Sequence, residues 1–325
     1  GSEMCIRDSS GTLQRVPKSE VYSVIESDLQ AAINALPAKK SSDGRATSFT
    51  AHALLGKVYL YQEKFAEAAN ILEPLIGLYT LPSDPGSVFL VEGENGPESV
   101  FEIQHSKESN GWNWGWMPQS TEGNFGVIHH GIRGYSGPVY SSGWSFNVPT
   151  QDLVDAFDAT DKRKNASVLD IVDWADANGA SYAEGYEHTG YFNNKYIPRA
   201  GYSKNTTELN YENNYRYIRY ADVLLMAAEA NNRGGISDSK AQNYLNQVRS
   251  RAGVSSINET GSSLTQAIWD ERRLEFAGEG HRFFDLVRTG QAGNEISGFV
   301  VGKHEVFPIP QTEIDISGLT QNSGY

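Results

Sequence analysis

Two rhythms of apolar and polar positions run along this chain, and the change from one to the other divides it. Near the N-terminus, Tyr22, Ile25, Leu29, Ile33 and Leu36 recur at helical spacing. Ser19 offers an N-cap, Glu20 sits at the positive end of the helix, and Pro37 stops it. The turn-forming stretch KKSSDGRATS follows, and Thr47, Ser48 and Thr50 can each cap the next element. From Thr50 to Gly77 the residues His52, Leu55, Gly56 and Tyr59, then Ala68 and Leu72, fall on the tetratricopeptide spacing, with His in the Trp place and Leu in the Phe place. That spacing predicts one antiparallel helix pair.

The helical rhythm returns at Tyr215. YRYIRYADVLLMAAEA predicts a helix carrying Ile218, Val223, Leu224, Met226, Ala227 and Ala230, ended by Gly234 and Gly235. A second helix is expected from Ser239 to Arg251, with Ala241, Leu245 and Val248 on one face, Arg249 and Arg251 in the last turn, and Gly253 closing it. A third, from Leu264 to Ala277, sets Leu264, Ile268, Leu274 and Phe276 beside Asp270, Glu271, Arg272, Arg273 and Glu275. Repeats of this kind cannot bury their faces alone, so Thr50 to Gly77 is expected to stack against Val223 to Arg251. Phe276, Phe283, Phe284 and Leu286 crowd the charges, which predicts semi-buried Arg–carboxylate pairs among Arg272, Arg273 and Glu275 that fix the turn around Gly278 and Gly280.

Between Leu81 and Tyr217 the helical pattern mostly fails. Short helices are expected at Gln151 to Asp158 and Val168 to Ala175, and a short strand in SVFEIQHS. The rest is rich in Gly, Tyr and Trp, and long loops of that kind are uncommon unless they act. Trp112, Trp114 and Trp116 alternate, so an extended segment would align the three rings as a platform for the C–H face of a sugar, with Asn113 placed to bond hydroxyls. Tyr135, Tyr140 and Trp144 form a second candidate group. The competing expectation for both groups is a small satellite core under the loops.

Composition narrows the choice. The chain has 325 residues and a formal net charge of −13, with no basic patch, which argues against nucleic acid. Its one cysteine, Cys5, excludes an intrachain disulfide and a Cys-based zinc site. His129 and His130 are adjacent and would diverge in an extended chain, with no carboxylate at ligand spacing. The runs Asp155, Asp158, Asp161 and Asp170, Asp173, Asp176 lack the glycine and closing glutamate of a calcium loop. No metal or cofactor is expected. Nucleophile elbows, HExxH, P-loop and dinucleotide fingerprints are all missing, so no catalytic set is legible.

The segments IRYADVLLMAAEA, AQNYLNQVRSRAGV and IWDERRLEFAGEGHRFFDLVRTG, closed by FPIPQTEI and LTQNSGY, resemble in content and order the C-terminal half of the SusD/RagB family. The resemblance implies a non-catalytic lipoprotein of the outer face of the outer membrane in Bacteroidetes. Such a protein binds oligo- or polysaccharide and delivers it to a SusC-like TonB-dependent transporter. It also implies a lipidated cysteine; Cys5 follows Ser2, Glu3 and Met4 and does not match that anchor. Residues 1–10 read as non-native, and the chain as a piece of the family's usual length. The expected organisation is a helical-repeat part at 11–80, a loop-rich ligand-binding region at 81–213, and a C-terminal helical part with a closing extended tail at 214–325. The fold class is mainly α, a tetratricopeptide-like helical-repeat scaffold with a long irregular aromatic-rich loop region. Two rival functions stand beside this reading: a tetratricopeptide adaptor for protein, and a polysaccharide-degrading enzyme.

Overall fold

The computed structural model describes residues 15–108, 122–204 and 210–325. The described helices are, in order, α1 (Lys18–Ala35), α2 (Ser48–Tyr61), α3 (Phe65–Leu72), α4 (Gly126–His129), α5 (Gln151–Ala156), α6 (Arg163–Ser167), α7 (Ile171–Asn178), α8 (Tyr220–Arg233), α9 (Asp238–Ala252), α10 (Gly261–Glu275), α11 (Arg282–Arg288), α12 (Ala292–Glu295) and α13 (Gln311–Ser317). Four short strands accompany them: β1 (Ser99–Ile103), β2 (Val168–Asp170), β3 (Tyr191–Asn193) and β4 (Tyr215–Arg219). The chain divides into two compact units, residues 29–281 and residues 1–28 with 282–325.

The larger unit is built on α2, α3, α8, α9 and α10, whose apolar faces merge into one core. Leu60, Ala68 and Leu72 meet Val223, Leu224, Ala227, Leu245, Val248, Leu264 and Ile268 there, as the repeat logic requires. Thr47 starts α2 with a reciprocal capping box to Thr50, the choice left open among three candidates. In the α2–α3 pair a small residue faces a large one. A Cβ on Gly56 would lie 2.4 Å from Leu72 Cδ2, so the helices approach as closely as they do only because Gly56 has no side chain. The Tyr220 hydroxyl accepts the Gly77 N–H at 2.8 Å and ties the end of that pair to the start of α8.

Three segments differ from the reading of the sequence. Tyr215–Arg219 is a strand and not the first turn of a helix. YRYIR alternates, and its aromatic and β-branched residues pair antiparallel with β1, Ile218 lying opposite Phe101. Val168–Asp170 likewise pairs with β3, and the helix begins after it, where Asp170 caps the Val172 and Asp173 N–H groups. The closing segment is not wholly extended, because Gln311–Ser317 forms a helical turn entered through Pro310. The α1 stripe exists, but Tyr22, Ile25, Leu29, Ile33 and Leu36 are only half-buried.

The charges around α10 are buried far more deeply than a semi-buried pair. Glu275 meets Arg219 at 2.9 Å and Arg163 at 3.3 Å, and is also bonded to Arg251. Arg163 reaches Asp161 at 2.7 Å and Glu271 at 2.6 Å, and Glu271 also takes Arg249 at 2.7 Å. Glu98 joins Arg219 and, at 3.4 Å, Arg251, and Glu279 joins Arg219 at 2.7 Å and Lys195 at 2.7 Å. Five cations thus face five carboxylates: Arg163, Lys195, Arg219, Arg249 and Arg251 against Glu98, Asp161, Glu271, Glu275 and Glu279. Arg272 stands apart, pairing with Asp222 at 2.8 Å with its side chain 3% exposed. Arg273, its side chain 24% exposed, pairs among the described residues with the exposed Asp152. Burial opposes ionisation of Glu275, but the surrounding Arg251, Arg219 and Arg163 outweigh it and hold the carboxyl well below its ordinary range.

Four outcomes are expected. Gly56→Ala should cost about 1–3 kcal/mol by overpacking against Leu72, with a double-mutant cycle to Leu72→Ala showing strong coupling in chemical denaturation. Leu55→Ala, fully buried, should cost about 2–5 kcal/mol. Glu275→Ala strands several cations and should cost about 3–5 kcal/mol, whereas Arg273→Ala should stay within about 0.5 kcal/mol; equal costs would contradict the network. The fourth outcome concerns pH. His281 stacks 4.7 Å from Phe276, and burial holds it near pKa 4 despite Asp222 and Glu279 nearby, with Lys57 and Arg272 reinforcing the depression. An unfolded histidine binds its proton near pH 6.5, so stability should fall as pH drops from about 6.5 to about 4, on the order of 3 kcal/mol for this group. Relative to the parent, His281→Gln should lose that slope in melts across this range.

Candidate functional site

The site is assembled where two glycine-rich strands of loop run side by side. Residues 143–146 lie back along 128–132: the Gly143, Trp144, Ser145 and Phe146 N–H groups donate to the carbonyls of Ile132, Ile128, Gly131 and His129 at 2.7–2.9 Å. The approach is close enough that a Cβ on Gly143 would sit 2.3 Å from Gly131 Cα. Arg133 locks the turn, its N–H donating to Ser145 Oγ at 3.0 Å and its guanidinium to the Trp144 carbonyl at 2.9 Å.

Ser145 and Asn147 both adopt left-handed backbone, at φ +59° and +52°. Such conformations persist in non-glycine residues only when their surroundings impose them. Their effect is to turn Trp144 and Phe146 toward the same neighbour. The His129 ring lies 4.9 Å from Trp144 and 6.0 Å from Phe146, and Phe125, one turn earlier, lies 5.6 Å from His129. Phe125 and Phe146 are 53% and 55% exposed, and Trp144 and His129 are half-buried. Trp144 rests on Val127, Ile128 and Tyr211, so the surface is anchored from below. The cluster is a continuous aromatic surface of four rings on a backbone that cannot easily move.

The sequence-derived candidates fall into three groups. Trp144 is in this cluster. Tyr135 and Tyr140 are not: at 8% and 6% exposed they form a core with Ile132, Leu169, Ile171 and Phe192, against which Trp174 packs. The Tyr135 hydroxyl donates to the Pro138 carbonyl and accepts from Trp174 Nε1, so its polar end is engaged within the protein. Their place is the satellite-core alternative, because Trp174 and Phe192, distant in sequence, cover them. Trp112, Asn113, Trp114 and Trp116 lie outside the described residues. Phe125, His129 and Phe146 were missed, although the F-x3-H spacing on a helical turn and the W-x-F alternation were visible signals. The histidine pair diverges on and just after α4, His129 joining the rings and His130 turning inward.

Beside the cluster is a recess of about 210 Å³ lined by residues that include Asn124, Val127, His130, Asn147, Tyr196, Tyr215 and Glu279. Burial, with His129 nearby, holds the His130 imidazole near pKa 4, so it is neutral at ordinary pH. Burial likewise pushes the Tyr196 phenol up. Three aspartates of the two runs have other roles: Asp158 accepts from Thr160, Asp161 from Arg163, and Asp170 caps α7. Among the described residues no group of three or more His, Cys, Asp or Glu is disposed to hold a metal ion.

Comparison with known proteins places this architecture. The sequence profile of the SusD family matches residues 171–325. SusD-like protein P2 of Formosa agariphila is 28% identical over 99% of this chain and 69% of its own length; SusD-like protein P25 of the same organism is 24% identical, and the chain spans 59% of it. A solved structure titled laminarin binding SusD-like protein superposes with a TM-score of 0.87 at 41% identity, covering 95% of this chain and 70% of that one. Surface glycan-binding protein A from Bacteroides thetaiotaomicron in complex with laminarihexaose gives a TM-score of 0.83 at 30% identity over 95% of this chain and 72% of that one. On this likeness, in fold and in sequence alike, the chain belongs to the SusD family.

Proposed function

We propose that the chain binds a neutral glucan of the laminarin type without cleaving it, at the outer cell surface, and hands it to a SusC-like TonB-dependent transporter. The observation that carries this reading is the anchored aromatic surface of Phe125, His129, Trp144 and Phe146. Sugar rings present apolar C–H faces that stack on such rings, and a preformed surface avoids the ordering cost of binding. Two similar structures, one of a laminarin-binding protein and one in complex with laminarihexaose, narrow the class of glycan. Trp112, Trp114, Trp116 and Asn113 remain candidates for extending the surface. The segment that bears them has flanks joined by the Ser106 N–H donating to the Glu122 carbonyl at 2.9 Å, just ahead of Phe125.

Burying ~50 Å² of ring under each sugar contributes on the order of 1 kcal/mol, and each hydroxyl bond adds about as much. Set against lost rigid-body freedom of ~4 kcal/mol or more, two or three such contacts leave an affinity of roughly millimolar at best. Weak binding suits a protein that must release its ligand. In calorimetry with laminarihexaose, Phe146→Ala and Trp144→Ala should each weaken binding about tenfold, Phe146→Ala without change in melting because its ring is largely exposed. The sugar should be recovered uncut. A parent protein that binds no glucan, or that releases shorter products, would overturn the reading.

A further inference from the structure

The recess beside the aromatic surface is a distinct feature with its own chemistry. Its lining includes Asn147, which is exposed and follows Phe146, and Tyr196, which is buried. At about 210 Å³ it is smaller than the pockets that hold drug-sized ligands and has the volume of about seven waters, roughly the bulk of one pyranose ring. Val127 and the Tyr215 ring supply apolar wall. Three polar groups are uncommitted among the described residues. His130 Nδ1 is enclosed and has no hydrogen-bond partner. The Tyr196 hydroxyl accepts the Arg216 N–H at 3.1 Å, which leaves its own proton to give. The Asn147 side-chain amide is the third. Buried polar groups without partners are uncommon in native folds and call for an explanation.

The charges around the recess are already matched. Glu279 is engaged by Lys195 at 2.7 Å and by Arg219 through both oxygens at 2.7 and 2.8 Å. Its carboxyl is held below its ordinary range because these cations outweigh the effect of burial. His130 is neutral and Tyr196 stays protonated. A charged sugar would find no counter-ion here, whereas a neutral one meets a donor, a histidine nitrogen and an amide.

We propose that this recess is a subsite for one neutral hexose unit, presented as a chain end or as a single-residue side branch of the glucan whose other rings lie across Phe125, His129, Trp144 and Phe146. The inference rests on the glycan-binding reading above. The 325-residue chain is titrated calorimetrically with laminarihexaose and with a β-glucan bearing single-residue branches. Asn147→Gly is the main variant, because glycine accepts the left-handed backbone at 147 and removes only the amide; His130→Ala is the second, with melting followed for both.

Each variant should weaken binding about three- to tenfold, the worth of one neutral hydrogen bond. Weakening with the linear hexaose assigns the recess to a chain end, and weakening confined to the branched glucan assigns it to a side branch. If Phe146→Ala loses binding while folded Asn147→Gly and His130→Ala bind both sugars as the parent does, the subsite is wrong and the platform stands. If the parent binds neither sugar, both readings fall.

Discussion

Ten charged side chains, all but Arg249 withdrawn from water, join the irregular part of the chain to the helices. Asp161, Arg163 and Lys195 come from the loop-rich segment, Glu98 and Arg219 from either side of the β1–β4 pair, and Arg249, Arg251, Glu271, Glu275 and Glu279 from α9, α10 and the turn after it. Removing such groups from water is expensive, and an apolar core of the same volume could be as stable. What the charges add is selectivity of arrangement. Each of Glu275, Glu271 and Arg219 takes partners from more than one segment, so a loop docked one residue out of place would leave a buried charge unmatched. The Arg219 guanidinium also covers Phe276 at 4.8 Å, so the same side chain closes the apolar core below it.

How much of this could be read in advance depended on whether the cause was local. The α2–α3 and α8–α9 pairs were legible because Gly56 against Leu72 and Ala227 beside Leu245 follow from spacing within one helix pair. The charged face of α10 was legible as a place where arginines and carboxylates would pair, but not as a ten-membered network, since Arg163, Lys195 and Glu98 reach it from far along the chain. Tyr215–Arg219 was misread for the same reason. Its strand state is set by β1, more than a hundred residues earlier, and not by its own apolar spacing, which fits a helix equally well.

The aromatic surface was half legible. A loop rich in rings announces that some of them will be displayed, but sequence does not say which. Tyr135, Tyr140 and Trp144 look alike on paper, yet two are sealed by Trp174 and Phe192 while the third rests on Val127 and Ile128 with its neighbour Phe146 in the open. What differs is the cover that Trp174 and Phe192 bring from far along the chain, and beside Trp144 the loop is shaped by left-handed backbone at Ser145 and Asn147, which no propensity for serine would have put there.

That backbone divides the labour along the stretch from Trp144 to Asn147. Positions 145 and 147 carry the shape of the loop and tolerate few residue types, glycine, asparagine, aspartate and serine among them. Positions 144 and 146 carry the rings, and their N–H groups bind carbonyls whatever side chain they bear. The loop therefore holds Phe146 as an interchangeable fitting, while Trp144, packed on Val127, Ile128 and Tyr211, belongs to the frame. On the glycan-binding proposal, a lineage moving to a new polysaccharide could exchange the ring at 146 for a phenol or a smaller group while the frame around it stayed unaltered.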